Sequence, residues 1–358
     1  MTYISHPTAP VSTLQETTSQ GDRSAAEVLA WSREVVDPAL RAAIATLPPA
    51  TRRIADYHFG WADEEGRPAH ADSGKAIRPA LVLLTAQAVG GTTEAALPAA
   101  VAVELVHNFS LLHDDVMDCD TSRRHRATAW TVFGLGPAIL AGDALLGLAF
   151  DVLVGSGHPA RGEAARILGA AVQELVDGQL ADAEFETRDD VVPAECVRMA
   201  QLKTGALLGC CTALGALLGG GRPDQIDHLR LYGEDLGLAY QYADDLLGIW
   251  GTPKVTGKPV FSDLTRRKKS LPVVTALASG TPAARELAAL YARTDELSHE
   301  DLTTAAALVE TAGGRTTSQA QADALVTEAL GSLITAGALA PASVELERLA
   351  RLATRRDH

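Results

Sequence analysis

Aromatic residues and cysteines are scarce in this chain of 358 residues, and both shortages limit what the protein can be. Phe, Trp and Tyr make up 4% of the residues while Ala and Leu dominate, which favours helix over strand. The four cysteines match neither a secreted disulfide framework nor a zinc-binding pattern. Positive charge is also in deficit, because the formal net charge is −14. That acidic balance argues against nucleic-acid binding, which needs a basic face.

The first 22 residues have neither a basic start nor an apolar core, so they do not resemble a secretory signal. They are rich in Thr, Ser and Pro, and we expect a flexible segment before one folded domain over residues 23–358. Together with the cysteine usage, this predicts a cytoplasmic protein. Residues 204–221 are uncharged over nearly the length of a membrane span, but their Gly and Ala content favours a buried helix without stable membrane insertion.

Helical periodicity recurs along the chain, and no repeated strand pattern accompanies it. Pro and Gly clusters separate the helical stretches, and no long linker divides them. We therefore predict an all-α, single-domain bundle of many helices. The predicted helices span 25–47, 76–89, 94–118, 129–154, 161–187, 194–219 and 224–250, with shorter ones between 270 and 354.

Two pairs of adjacent aspartates each follow an apolar helical stretch. Asp114 and Asp115 belong to DDVMD together with Asp118, and Asp244 and Asp245 belong to DDLLG. Asp114 and Asp118 are four residues apart, so they lie on one helix face about one turn apart. Two such helices facing each other would supply the oxygen ligands that Mg²⁺ shares with substrate phosphates. One such motif alone also occurs on solvated helix ends, so the second pair carries much of the argument.

Basic residues stand beside the acidic pairs in a protein that is otherwise strongly acidic. Lys75 and Arg78 begin a helical stretch, where a cation opposes the helix dipole and an anion can bind free N–H groups. The simplest joint interpretation is a polyphosphate site in which Mg²⁺ bridges carboxylate to phosphate and cations hold the remaining oxygens. The other basic residues considered for it are Arg123, Arg124, Arg126, Lys203, Lys258, Arg266, Arg267, Lys268 and Lys269.

DDVMD, DDLLG, the GKAIRP segment and the KT dipeptide together resemble the trans-isoprenyl diphosphate synthases, in the right order over roughly residues 70 to 275. The resemblance implies the isoprenoid synthase fold, with a central cavity between two aspartate-rich helices, and a homodimer. It also implies a Mg²⁺-dependent prenyltransferase. An allylic diphosphate (dimethylallyl, geranyl or farnesyl) ionises, isopentenyl diphosphate attacks the cation, and a proton is lost. Three Mg²⁺ ions would act with bound substrate, and Mn²⁺ could replace them.

The resemblance also implies roles for individual residues. The metal would be bound by Asp114, Asp115, Asp118, Asp244 and Asp245. The allylic diphosphate would contact Arg123, Lys203, Thr204, Gln241, Lys258 and Lys268. Isopentenyl diphosphate would contact Lys75, Arg78, His107 and Arg124. The catalytic set is Asp114, Asp115, Asp118, Arg123, Lys203, Asp244 and Lys258. His107 precedes Asp114 by seven residues, so helix geometry independently places both on one face.

Product length depends on the residues just before the first motif. Ser110, four residues before Asp114, is small and points along the same face, while Phe109 is bulky and borders that face. In the family this arrangement, with no insertion in DDVMD, is similar to enzymes of the C20-producing type. Geranylgeranyl diphosphate is therefore the expected product and farnesyl diphosphate the alternative. Phe109 could instead serve only as core packing.

The sequence departs from the family pattern at Gly248, where many relatives carry a third Asp, and at His125, which replaces a small residue. The first departure predicts a missing carboxylate ligand. A class I terpene cyclase also uses DDxxD, but it needs no isopentenyl diphosphate site, and the chain has no NDxxSxxxE motif. A non-catalytic partner subunit would be expected to lose the first aspartates. Glu104 and His107 match the di-iron motif E-x-x-H, which needs a second copy that is missing here.

Overall fold

The computed structural model describes residues 23–71, 74, 76–253 and 259–354, so the first 22 residues, Lys75 and Lys258 lie outside the described residues. The described chain is built of helices with one short antiparallel hairpin, and the predicted all-α fold is confirmed. The elements are α1 (Ala25–Ile44), α2 (Pro49–His58), α3 (Ile77–Ala88), α4 (Thr93–Met117), β1 (Ser122–Arg123), β2 (Arg126–Ala127), α5 (Ala129–Phe133), α6 (Leu135–Gly155), α7 (Arg161–Thr187), α8 (Pro193–Ala200), a π-helical turn (Gln201–Gly205), α9 (Ala206–Leu218), α10 (Pro223–Trp250), α11 (Ser262–Thr265), α12 (Leu271–Leu277), α13 (Pro282–Tyr291), α14 (His299–Thr311), α15 (Gly314–Thr335) and α16 (Ala342–Thr354).

Two of the predicted helices are divided in the structure. The helix predicted over 129–154 is interrupted at Gly134, whose φ of 94° ends α5 and lets α6 begin in a new direction. The helix predicted over 194–219 contains the π-helical turn Gln201–Gly205. The turn is only five residues long and the helix after it is buried on nearly all sides, so the apolar pattern has too little periodicity to reveal the extra residue of a π-helical turn. In addition, α1 is shorter than predicted, and α2 was not predicted.

α9 lies inside the bundle, in contact with α3, α4, α7 and α10. Nearly all of its residues are buried, which confirms the prediction of a buried helix. Its neighbours approach closely: a Cβ atom on Gly215 would lie 2.1 Å from Thr85 Oγ1, and one on Gly233 would lie 2.3 Å from Thr212 Oγ1. Because a protein interior is close-packed, these contacts fix α3 and α10 against α9. α9 therefore supports α4 and α10, the two helices that carry the acidic motifs.

Three helical stretches of the described chain are long and apolar enough to cross a membrane, judged by length and composition alone: Thr93–Met117, Leu135–Gly155 and Pro193–Leu218. The apolar windows of the first and third are 67% and 78% buried in the bundle. The window of α6 is only 39% buried, and Leu140 and Val154 are exposed on it. Large exposed apolar side chains on one helix indicate a surface that another molecule covers.

Candidate active site

The first acidic motif lies at the C-terminal end of α4. Asp115 is buried, and its Oδ1 accepts a hydrogen bond from Arg123 Nε at 2.7 Å. The Oδ2 atom of Asp115 makes no hydrogen bond within the described part of the chain. Burial raises the pKa of Asp114, Lys203 opposes this rise, and Asp118 adds to it. Asp114 and Asp118 are therefore close enough for their charges to interact, while Asp115 is paired with a cation.

The second acidic motif, near the end of α10, divides its two aspartates in the same way. Asp244 is exposed and Asp245 is buried. Asp245 accepts hydrogen bonds from Gln241 Nε2 at 2.8 Å and from the backbone N–H of Leu271 at 2.8 Å. Burial raises the pKa of Asp245 to about 7, although Lys268 opposes the rise. In each pair the first aspartate is the more accessible one, and the second is buried and hydrogen-bonded.

This division predicts different effects on stability. Asp245→Ala should lower the free energy of unfolding by about 1–3 kcal/mol, because the Leu271 N–H and the Gln241 amide lose their buried acceptor. Urea unfolding followed by circular dichroism measures this loss. The matched control is Asp244→Ala, which removes an exposed side chain and should change stability by less than about 0.5 kcal/mol. Equal losses in the two variants would contradict the division.

A further acidic residue, Asp182 on α7, joins the site and was not predicted from the sequence. Its Oδ2 accepts a hydrogen bond from Lys203 Nζ at 2.6 Å and lies 3.8 Å from Lys268 Nζ. Burial would raise the pKa of Asp182, but the two lysines lower it below its ordinary value. The sequence does contain a signal for it. Leu175, Gln179 and Asp182 follow at helical spacing along the inner face of α7, where an acid is unusual.

The π-helical turn Gln201–Gly205 positions two of the predicted substrate contacts. Thr204 Oγ1 donates a hydrogen bond to Gln241 Oε1 at 2.7 Å. A Cβ atom on Gly178 of α7 would lie only 2.4 Å from the backbone nitrogen of Lys203, so the turn packs directly on the α7 backbone. π-helical turns occur frequently at functional sites. This one directs Lys203 to α7 and Thr204 to α10.

Three observations bring the two acidic motifs to a common cleft. Arg266, just after α11, donates a hydrogen bond to Asp120 in the loop that follows α4. Burial would lower the pKa of Lys268, but nearby carboxylates, including Asp182 and Asp244, raise it above its ordinary value. Asp182 also acts on the pKa of Asp114, so Asp182 and Lys268 together connect the charges of the two motifs. We call this region the acidic cleft and define it by Asp114, Asp118, Asp182, Asp244 and Lys268.

A second polar region, which we call the basic cluster, consists of Arg78, His107, Arg124 and His58. A Cβ atom on Gly74 would lie 2.6 Å from Arg124 Nη2, so this guanidinium packs on the backbone. Burial, together with the charges of Arg78 and Arg124, holds the pKa of His107 well below its ordinary value. Arg78 Nε is buried without a hydrogen-bond partner among the described residues. Positive groups with an unused donor suit a bound anion.

The two predicted chain-length residues lie in α4 within two turns of the first motif. Phe109 is 6% exposed, and its ring meets that of His113 edge-on with centroids 4.8 Å apart. Ser110 is also buried, and its hydroxyl donates to the backbone oxygen of His107 at 2.9 Å. Both therefore line the inner part of α4 rather than its surface. His125, in contrast, is exposed in the turn between β1 and β2.

The acidic cleft provides oxygen ligands but no complete metal cage. Among the described residues, no three carboxylate, imidazole or thiol side chains converge closely enough to hold a metal ion. The neighbouring Asp114 and Asp118 and the unpaired Oδ2 of Asp115 still supply hard oxygen donors. Mg²⁺ keeps several waters and is commonly bound by one or two carboxylates with substrate phosphates as further ligands. The residues present therefore fit Mg²⁺ that binds together with a phosphorylated substrate.

Comparisons with known proteins identify the family of the chain. Residues 65–309 match the polyprenyl synthetase family. The (2E,6E)-farnesyl diphosphate synthase of Mycobacterium tuberculosis is 46% identical over 326 residues, which cover 90% of this chain and 91% of that protein. The geranylgeranyl diphosphate synthase of the same organism is 45% identical over 307 residues, which cover 86% of this chain and 88% of that one.

A solved structure extends the likeness to three dimensions. The polyprenyl synthetase from Streptomyces coelicolor A3(2) superposes with a TM-score of 0.88 at 47% identity, covering 91% of this chain and 98% of that one. The family match over residues 65–309 includes both helices that carry the acidic motifs. The chain therefore belongs to the polyprenyl synthetase family and is a trans-prenyltransferase that forms prenyl diphosphates.

Proposed function

We propose that the protein condenses isopentenyl diphosphate with an allylic diphosphate, and that the reaction takes place at the acidic cleft. The observation that carries this proposal is that basic side chains form two groups, Lys203 and Lys268 around Asp182 in the acidic cleft and the arginines and histidines of the basic cluster, and each group suits a bound diphosphate. Chain elongation uses two substrates that each carry a diphosphate, so it needs two such regions. Cyclisation of one prenyl diphosphate needs only the first, which makes a terpene cyclase the weaker alternative.

The allylic diphosphate would lie in the acidic cleft. Lys203 and Lys268 share Asp182, and phosphate oxygens would give both ammonium groups further acceptors. The bonded pair of Thr204 and Gln241 adds a hydroxyl and an amide at the same place. The further contacts proposed for this substrate are Arg123 and Lys258.

The first aspartate of each motif and Asp118 would hold the metal, with Oδ2 of Asp115 as a further donor, and the buried Asp245 would support the second motif. Mg²⁺, or Mn²⁺ in its place, would stabilise negative charge on the departing diphosphate. Asp115 would keep Arg123 directed at the cleft through their 2.7 Å hydrogen bond. Buried apolar residues of α4 and α9 would exclude water, which would otherwise quench the allylic cation.

Isopentenyl diphosphate would bind the basic cluster. The unused Nε donor of Arg78 and the guanidinium of Arg124 would hold its phosphates, together with Lys75. His107 is the member of this cluster that lies on α4, seven residues before Asp114, and it is uncharged at neutral pH because its pKa is held low. A neutral imidazole can donate to a phosphate oxygen through one ring nitrogen. The nucleophilic double bond would then face the acidic cleft.

We propose geranylgeranyl diphosphate as the product, with farnesyl diphosphate as the alternative. The curated relatives include synthases named for each of these products at nearly equal identity. The C20 proposal therefore depends on Phe109 and Ser110. A buried aromatic ring next to a small side chain would end the cavity deeper than two adjacent aromatic rings would.

A product assay tests the proposed function. Purified protein is incubated with isopentenyl diphosphate and, separately, with dimethylallyl, geranyl or farnesyl diphosphate, with Mg²⁺ or with chelator. The products are dephosphorylated and identified as alcohols or hydrocarbons by mass spectrometry. A C20 alcohol that requires the metal is the expected result, and a C15 alcohol would establish the alternative. A cyclic hydrocarbon formed from an allylic substrate alone would overturn the assignment of the basic cluster.

We also propose that the protein is a cytoplasmic homodimer. The exposed apolar residues of α6, Leu140 and Val154, are joined on α7 by Val176 and Leu180, which are likewise exposed. α6 and α7 contact each other, so these side chains are candidates for one continuous surface. A second copy of the chain would bury it without lipid. Sedimentation equilibrium without detergent would return the dimer mass, and a monomer at micromolar concentration would refute this proposal.

A further inference from the structure

The second acidic motif ends in Gly248 where a third aspartate would complete DDxxD, but a carboxylate is present at that position from elsewhere in the chain. A Cβ atom built on Gly248 would lie 2.3 Å from Asp263 Oδ2, 2.4 Å from its Cγ and 2.7 Å from its Oδ1. These distances are shorter than real Cβ contacts, so the carboxylate of Asp263 occupies the space that a side chain at position 248 would need. Glycine is required there because of this close approach.

The position of Asp263 is set by packing on both of its sides. Ser262 Oγ donates a hydrogen bond to the backbone oxygen of Gly248 at 3.2 Å, which ties α11 to α10. On the other side, Leu264 is fully buried in the same apolar cluster as Ile249. Ser262 therefore contacts Gly248 itself, and Leu264 packs in the cluster that contains Ile249, the residue after Gly248. Both chain neighbours of Asp263 are therefore packed against α10.

The charge of Asp263 acts on the residues of the acidic cleft. The backbone oxygen of Asp263 accepts a hydrogen bond from the backbone N–H of Lys268 at 2.9 Å, so Asp263 lies directly beside a residue that defines the cleft. Asp263 is also among the carboxylates that raise the pKa of Lys268. Gly248 follows Asp244 by four residues, so the two lie on one face of α10. A carboxylate that covers Gly248 therefore lies on the face that carries Asp244.

We propose that Asp263 replaces the missing third carboxylate of the second motif and acts, with Asp244, on the metal that accompanies the allylic diphosphate. This inference rests on the proposed function, since it needs the metal to bind at the acidic cleft. Asp263 would either bind the ion or orient one of its waters, and removing such a group typically lowers metal affinity by roughly 10–100-fold. The carboxylate of Asp263 on α11 would thereby supply the ligand that position 248 was expected to lack.

Metal binding can be measured apart from catalysis. Binding of Mn²⁺ in the presence of inorganic diphosphate, without any prenyl substrate, is followed by electron paramagnetic resonance and calorimetry. Asp263→Asn keeps the shape of the side chain but removes its charge, and it should weaken Mn²⁺ binding roughly 10–100-fold. Glu296→Ala, which removes an exposed acid between α13 and α14, is the matched control and should bind like the wild type.

A transfer of the carboxylate completes the test. In the double variant Gly248→Asp/Asp263→Ala the space next to residue 248 is free, and a carboxylate again projects from that position. This variant should recover most of the Mn²⁺ affinity that Asp263→Ala alone loses. Gly248→Asp alone should be destabilised, because two carboxylates would compete for one space. Recovery in the double variant could not come from a merely structural role of Asp263.

The outcomes separate this inference from the proposed function. If the wild type binds no Mn²⁺ in a diphosphate-dependent manner, the proposed metal function of the cleft is wrong. If the wild type binds Mn²⁺ and Asp263→Asn binds it equally well, the role of Asp263 is refuted while the proposed function stands. Loss in both single variants without recovery in the correctly folded double variant would also refute the replacement of position 248 by Asp263.

Discussion

Replacing Asp114 by alanine should lower turnover by roughly 10³-fold while leaving the protein folded. Groups that stabilise charge developing in the transition state are each worth several kcal/mol, and 1.4 kcal/mol corresponds to a factor of ten in rate. Asp114 is the more accessible member of the first pair, and its carboxylate lies near that of Asp118. Burial and the charge of Asp118 both disfavour the charged form of Asp114, and a bound metal ion would offset this cost. Asp118→Ala should therefore have a similar effect. Steady-state kinetics at saturating Mg²⁺ measures both.

The loss of turnover should result from weaker metal binding and not from unfolding. Thermal unfolding of Asp114→Ala should resemble that of the wild type, since removing a crowded carboxylate does not leave a buried donor without an acceptor. High Mn²⁺ concentrations should restore part of the turnover if weakened metal binding is the cause. Glu286→Ala, an exposed acid on α13, removes the same charge far from any motif and should keep full activity. Near wild-type turnover in both Asp114→Ala and Asp118→Ala would show that the metal assignment is wrong.

The parts of this molecule that could be predicted from its sequence are those with local signals. The apolar period of each helix predicts the bundle, and the spacing of Asp114 and Asp118 predicts that they share a helix face. Both inferences depend on residues a few positions apart in one regular element. Pro and Gly clusters likewise mark helix ends, because their effect on the backbone is local.

The parts that could not be predicted depend on contacts between distant segments. Asp182 enters the acidic cleft because α7 packs on the π-helical turn, which places it beside Lys203, 21 residues away in the chain. The substitution at Gly248 suggested a lost carboxylate, and only the packing of α11 on α10 reveals Asp263 at that place. The different environments of the two aspartates in each pair also arise from partners elsewhere, such as the N–H of Leu271.

Replacing Phe109 by alanine should change the product itself. The ring of Phe109 is buried, and it packs edge-on against His113, which directly precedes the first motif. If Phe109 closes the far end of the cavity, its removal opens space into which a growing chain can extend. Apolar chain growth into that space is favourable by about 0.8 kcal/mol for each buried CH₂ group. Products should then lengthen by one or more isoprene units.

The same substitution will destabilise the protein, so the assay must separate the two effects. Truncating a buried Phe to Ala typically costs about 3–5 kcal/mol, and the reaction should be run well below the midpoint of thermal unfolding. Phe109→Leu leaves a smaller opening and should give a mixture of the normal and longer products. Phe150→Ala, which removes a partly buried ring that packs near Gly169 of α7, tests whether loss of packing alone changes product length. An unchanged product in a folded Phe109→Ala protein would mean that Phe109 only fills the core, and a shift that Phe150→Ala reproduces would mean that product length responds to stability rather than to cavity depth.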